Sequence, residues 1–248
     1  MFLTIQGLVL RVTNYNDTDS LLTVLTRDRG KMTLKARGLR RKNSPLSAPC
    51  QLLTYSEFTV FENRGYFSTN EGISIEIFAG LRKDLQKLSL GTYFAQVAEL
   101  VCMEDTPNPE LLSLVLNCLY GLSALDLPEN QVKAVFEMRV ACIAGYMPDL
   151  SGCCSCGRNL PDLFNISQGH LVCRECLNRD NGGIRVPVST AALAAMRYIT
   201  QCHEKKLFSF YADDESLEQL TQVTEAYLTM QLERGFSTLD FYKSLLLK

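Results

Sequence analysis

Apolar and polar residues change their period once along this chain, at about residue 80. Before that point the apolar positions fall in short runs rich in Val, Leu, Thr and aromatics: Thr4–Val12, Leu21–Thr26, Lys31–Ala36, Leu52–Phe61 and Tyr66–Ile77. Turn-forming clusters separate them, Asn14-Tyr15-Asn16-Asp17, Asp28-Arg29-Gly30 and Glu62-Asn63-Arg64-Gly65, so the pattern predicts five β-strands. Five strands with one long middle connection, from Arg37 to Pro49, suggest a small closed barrel of the OB type whose connection carries a loop or short helix.

From Leu81 the spacing becomes helical. Leu81, Leu85, Leu88 and Leu90 lead into an apolar face that ends before Thr106-Pro107-Asn108-Pro109, and Pro109 suits the first turn of a second helix reaching about Ala124. Asn130 is placed to cap a third, from Gln131 to Ala144. Ser189 opens a fourth, to about Cys202. Asp213-Asp214-Glu215 charges the first turn of a fifth, and a last short helix begins near Ser237. The chain therefore reads as α+β, with a nucleic-acid-binding type of barrel over 1–80 and a helical domain over 81–248.

Into the helical part is inserted Cys153-x-x-Cys156, followed after sixteen residues by Cys173-x-x-Cys176. A Cys-x-x-Cys turn brings two thiolates onto one metal with little strain, and two such turns complete a tetrahedron. Cys153, Cys156, Cys173 and Cys176 are the expected ligands of one structural zinc ion, in a hairpin spanning about 150–182. Four sulfurs leave no open coordination position, which excludes the usual catalytic zinc. Cys154 breaks the two-residue gap, and His170, three residues before Cys173, is an alternative ligand. Two disulfides are the competing reading of the four cysteines. The absence of a visible signal peptide and the reducing state of the cytosol favour the metal.

Composition narrows the picture. Of 248 residues, 46% are hydrophobic and 21% charged, the balance of an ordinary globular protein, and no apolar run reaches membrane-spanning length, so a cytoplasmic protein is expected. Cys50, Cys102, Cys118, Cys142 and Cys202 are scattered singly and read as small buried hydrophobes. The net charge of −2 hides a basic first 80 residues, with ten Lys and Arg against seven Asp and Glu. Within Arg27–Lys42, eight of sixteen residues are basic and only Asp28 is acidic. Flexible cations on one rim of a barrel bind phosphate backbones, and Tyr15, Tyr55, Phe58, Tyr66 and Phe67 are available to stack bases. Catalytic patterns are missing: there is no phosphate-binding glycine loop, and His203-Glu204 lacks the second histidine of a zinc protease. A zinc deaminase needs His-x-Glu ahead of its Cys-x-x-Cys, and that too is missing. No enzyme activity is expected.

Gly7-Leu8-Val9-Leu10 with Asp19, then Leu25-Thr26, Gly30, Ala36-Arg37-Gly38 and Ser44-Pro45-Leu46, resembles the N-terminal barrel of the bacterial RecO recombination mediators. Tyr93-Phe94-Ala95 to Glu99-Leu100, the paired Cys-x-x-Cys motifs, and Gly235 with Lys243-Ser244 follow in that family's order. The resemblance implies a monomeric, non-enzymatic DNA-repair protein. Such a protein binds single- and double-stranded DNA, anneals complementary strands and, with RecR, helps RecA displace single-strand-binding protein. Arg11, Lys35, Arg37, Arg40, Arg41 and Lys42 are the expected phosphate contacts; Arg27, Arg29 and Lys31, in a turn, rank below them. The alternative is a zinc-hairpin adaptor that binds proteins and no nucleic acid, its basic loop merely solvated.

Overall fold

A computed structural model of the chain describes residues 2–247. Five strands, β1 (Phe2–Asn14), β2 (Ser20–Thr26), β3 (Gly30–Ala36), β4 (Tyr55–Asn63) and β5 (Tyr66–Glu76), close into a barrel in the order β1-β2-β3-β5-β4. Length explains how β1 serves two neighbours: its first half pairs with β4 from Phe2 to Leu8, and its second with β2 from Gly7 to Asn14. A register shift between Val9 and Arg11 bends it between the two. The barrel shuts through a short parallel pairing, Leu34 to Phe67, Lys35 to Ser68 and Ala36 to Thr69.

Period-two alternation directs Val9, Leu22, Val24, Met32, Leu34, Ala36, Phe58 and Val60 inward as one core. The long connection after β3 forms successive turns with no helix, and drops Leu46 and Cys50 into the same core. Burial pushes the Cys50 thiol up to about 12, so it packs as a neutral hydrophobe.

The helices follow the 3.6-residue spacing. A 3-10 turn at Leu81–Lys83 precedes α1 (Leu85–Val101), whose cap Asp84 accepts from the N–H groups of Gln86 and Lys87. Pro109 occupies the first position of α2 (Pro109–Ser123), with Asn108 as its cap. The third helix corrects one expectation: α3 (Glu129–Ile143) starts after Pro128, so Asn130 lies inside the first turn and does not cap it. Proline fixes φ and offers no side-chain acceptor, yet here it begins the helix two residues earlier than the asparagine signal suggests. Ser189 caps α4 (Thr190–Gln201), Asp213 caps α5 (Asp214–Gln231), and α6 is Ser237–Leu246.

The chain divides into two compact units, 2–126 with 236–247 and 127–235 among the described residues. The first unit thus holds the barrel together with α1, α2 and α6, where the period change alone suggests a boundary near residue 80. In the second, α3 packs on α5 around a buried Lys133. Its Nζ lies 2.8 Å from Glu137 and 2.8 Å from Glu225. The cysteine insertion is more than a hairpin. β7 (Leu163–Asn165) and β8 (His170–Val172) form one, but β6 (Asp149–Cys153) adds in parallel to β8, and β9 (Arg185–Pro187) adds to β7. Arg197 of α4 ties this sheet to the helices by donating to the carbonyls of Leu150 and Asn159, both at 2.7 Å.

Candidate nucleic-acid face and metal centre

One carboxylate ties the loop after β3 to the turn before β2 and pairs with Lys35 of the barrel rim. Asp19, just before β2, accepts from the Gly38 N–H at 2.9 Å through Oδ1, and its Oδ2 lies 3.1 Å from Lys35 Nζ. The Gly38 N–H first, then Lys35, Asn16 and Thr18, hold its carboxyl far below the usual carboxylate range, against a smaller opposing effect of burial. Gly38 has φ +71, a conformation that suits glycine, and it starts the turn carrying Arg40, Arg41 and Lys42. Arg40 reaches back to the turn before β2. Its N–H donates to the Thr18 carbonyl at 3.0 Å and its guanidinium to the Asn16 carbonyl at 2.6 Å. Arg37, Arg41 and Lys42 are exposed.

An open cavity of about 510 Å³ lies beside this loop, at the parallel β3–β5 seam. Lys31, Lys35 and Arg37 line it with Tyr15, Tyr66 and Phe67. Lys35 Nζ stands 4.7 Å from the Tyr15 ring centre, and Arg29 lies 5.6 Å over Phe67. Tyr66 is 82% exposed and Tyr15 58%, whereas Phe58 is fully buried in the barrel core. Glu104 and Asp105 also border the cavity, making one part of its wall acidic.

Of the six residues expected on sequence grounds to meet phosphate, Lys35, Arg37, Arg40, Arg41 and Lys42 fall within this stretch. Arg11 is differently placed: its guanidinium meets Glu99 of α1 at 2.9 to 3.2 Å. Its charge is already matched by a carboxylate 88 positions away, a pairing no local pattern announces. Conversely Lys31, ranked low as a turn residue, lines the cavity, and Asp19 emerges as the organiser of the loop. Asp19 could have been found from its place in an Asn-x-x-Asp turn ahead of a strand, where such side chains capture nearby N–H groups.

In the second unit, Cys153, Cys156, Cys173 and Cys176 come together with their sulfurs all within 4.8 Å of one another. The β6 end supplies Cys153, the following turn Cys156, the β8 end Cys173 and a 3-10 turn Cys176. Cys156 Sγ and Cys173 Sγ are 3.8 Å apart. That is about the edge of a tetrahedron with metal–sulfur bonds near 2.3 Å. None of these four cysteines is in a disulfide. Backbone N–H groups aim at the cluster, and the Cys173 N–H donates to Cys153 Sγ at 3.3 Å.

Burial opposes a thiolate at Cys153, but hydrogen bonds from Cys156, Cys173 and Ser155 outweigh it and bring that thiol to about 6. Burial and the neighbouring sulfurs push Cys173 up to about 12; Cys176, hydrogen-bonded to Cys156 and partly desolvated, goes to about 11. One thiolate therefore forms readily and its neighbours resist joining it. A dication at the centre removes that mutual repulsion and deprotonates all four. The four cysteines fit a metal ion.

Residues 1–78 match the family model described as Recombination protein O N terminal, and residues 82–240 the one described as Recombination protein O C terminal. The DNA repair protein RecO of Acetivibrio thermocellus is 34% identical over 246 residues, covering 98% of this chain and 97% of that protein. RecO of Alkaliphilus metalliredigens is 29% identical over 248 residues, 99% and 100% of the two chains. RecO of Bacillus subtilis is 28% identical over 223 residues, 90% and 86%. No helix among the described residues is long and apolar enough to cross a membrane. With both halves matched in order and relatives aligned over almost its full length, the chain belongs to the recombination protein O family of DNA repair proteins.

Proposed function

We propose that this chain is a non-enzymatic recombination mediator. It captures single- and double-stranded DNA on the basic rim of its barrel, anneals complementary strands and, with RecR, helps RecA displace single-strand-binding protein. The observation that carries this reading is the convergence of Lys31, Lys35 and Arg37 with exposed Tyr15 and Tyr66 around one open cavity, continued by the Arg40-Arg41-Lys42 loop. Cations alone bind any polyanion. Cations beside aromatic faces that bases can stack on favour single strands.

Lys35, Arg37, Arg40, Arg41 and Lys42 are the phosphate contacts in this reading, with Lys31 added. Arg11 takes part only when Glu99 releases it. One zinc ion on Cys153, Cys156, Cys173 and Cys176 stabilises the inserted sheet and performs no chemistry. The protein acts as a cytoplasmic monomer.

Annealing of two complementary labelled oligonucleotides tests the proposal. The wild-type chain should accelerate duplex formation over the protein-free rate. Tyr66→Ala, at a side chain that is mostly solvent-exposed, should slow annealing about tenfold, given that one base–aromatic stack contributes about 1–3 kcal/mol. Wild-type annealing no faster than the protein-free control would sink the mediator reading and leave the protein-binding adaptor.

A further inference from the structure

The inserted sheet holds a second group of metal-ligating side chains that the four-cysteine centre does not use. Cys154, His170 and Asp180 each present one ligand atom, and these atoms lie within 4.8 Å of one another. Strand pairing creates the juxtaposition. The Cys154 N–H donates to the Leu171 carbonyl at 2.9 Å, which sets Cys154 against the strand that begins with His170. His170 Nε2 stands 2.8 Å from Asp180 Oδ1.

The remaining groups orient the cluster. Asp180 Oδ2 accepts from Arg185 Nε at 2.6 Å and from Asn165 Nδ2 at 3.0 Å, so one oxygen is held from behind while Oδ1 faces His170. Hydrogen-bonded support of this kind fixes carboxylates that ligate metals. The Asp180 side chain is almost wholly buried and Cys154 is exposed, so the group is anchored at one end and open to solvent at the other.

We propose that Cys154, His170 and Asp180 form a second divalent-metal site, for a cation of the zinc and cobalt class, with a fourth position open to water or an incoming ligand. One thiolate, one imidazole and one carboxylate suit such a borderline cation, and the thiolate disfavours magnesium and calcium. The ion takes the place of the proton between His170 and Asp180. Bonds near 2.1 Å at tetrahedral angles put two ligand atoms about 3.4 Å apart, so that pair, now at 2.8 Å, widens by about 0.6 Å. Cys154 Sγ, 3.7 Å from Ser155 Oγ, turns in to close the site. The site is independent of DNA binding.

The test is cobalt binding by the full chain, stripped of metal under reducing conditions and then equilibrated at micromolar free Co2+. Bound metal and the visible spectrum are read on the same sample. Wild type should bind two equivalents. Cys154→Ala should bind one and keep the sulfur-to-cobalt charge-transfer band of the four-cysteine centre unchanged, which also reports that the sheet is folded. His170→Gln should behave like Cys154→Ala. One equivalent in the wild type, with the four-sulfur spectrum, would overturn this site while leaving the structural centre intact. Two equivalents retained in Cys154→Ala would overturn it as well, and no bound cobalt at all would remove both centres.

Discussion

Asp19 and Lys133 show how single side chains set the conditions for everything around them. At Asp19 the carboxyl is held well down, chiefly by the Gly38 N–H and by Lys35. A depressed folded-state value contributes stability that is present above the ordinary 3.8 and is lost as pH falls through the lower value in the fold. Acid should therefore release the Arg37–Lys42 loop only below about pH 4, and Asp19→Asn should remove that pH dependence. Amide exchange at Gly38 followed from pH 6 to pH 2 reads it directly. Burial disfavours the Lys133 ammonium, but Glu137 and Glu225 outweigh it and hold its value up; burial likewise raises Glu137. Lys133→Met removes the cation beside a fully buried carboxylate and should destabilise the fold by about 3 kcal/mol at pH 7 in urea denaturation. Because Glu137 in the fold binds its proton more tightly than in the unfolded chain, the deficit should shrink as pH falls toward 4.5. A deficit that grows in acid would show that Glu137 is not the group left exposed to the loss.

Elements were legible to the degree that their signals are local. The five strands follow from runs of Val, Leu, Thr and aromatics between turn clusters, and Pro109, Ser189 and Asp213 mark helix starts where the structure has them. Less is legible where distant groups decide. Arg11 reads as a free cation until α1 brings Glu99 to it, and β6 and β9 are too short, at five and three residues, to show a period of their own. The turn between β2 and β3 depends on such a distant neighbour too. Gly30 has φ +59, and a Cβ there would run into the Thr106 carbonyl, while Lys31 N–H donates to the Met103 carbonyl at 3.1 Å. Gly30→Ala should thus cost about 2 kcal/mol through backbone strain and lost packing of the 103–106 segment. Thermal unfolding checks it, and an unchanged midpoint would mean the segment simply moves aside.

For the whole molecule, the net positive charge lies in the first 80 residues and the sulfur centre lies in the other compact unit. DNA capture and metal binding should accordingly separate. Cys173→Ser removes a ligand from a centre that, in isolated zinc fingers, contributes on the order of 10 kcal/mol to folding. It should make the 149–187 sheet protease-sensitive while changing oligonucleotide affinity by less than about threefold, since each unit has its own core. The central claim is that the barrel rim neutralises DNA phosphates. Fluorescence anisotropy of a labelled single-stranded oligonucleotide over a salt series measures this most directly. Neutralising about five phosphates gives a slope of log K against log salt near −3.5. The triple variant Arg37→Ala, Arg40→Ala, Arg41→Ala should bind more weakly and flatten that slope by about 2. A triple variant with the wild-type affinity and the wild-type slope would contradict the account.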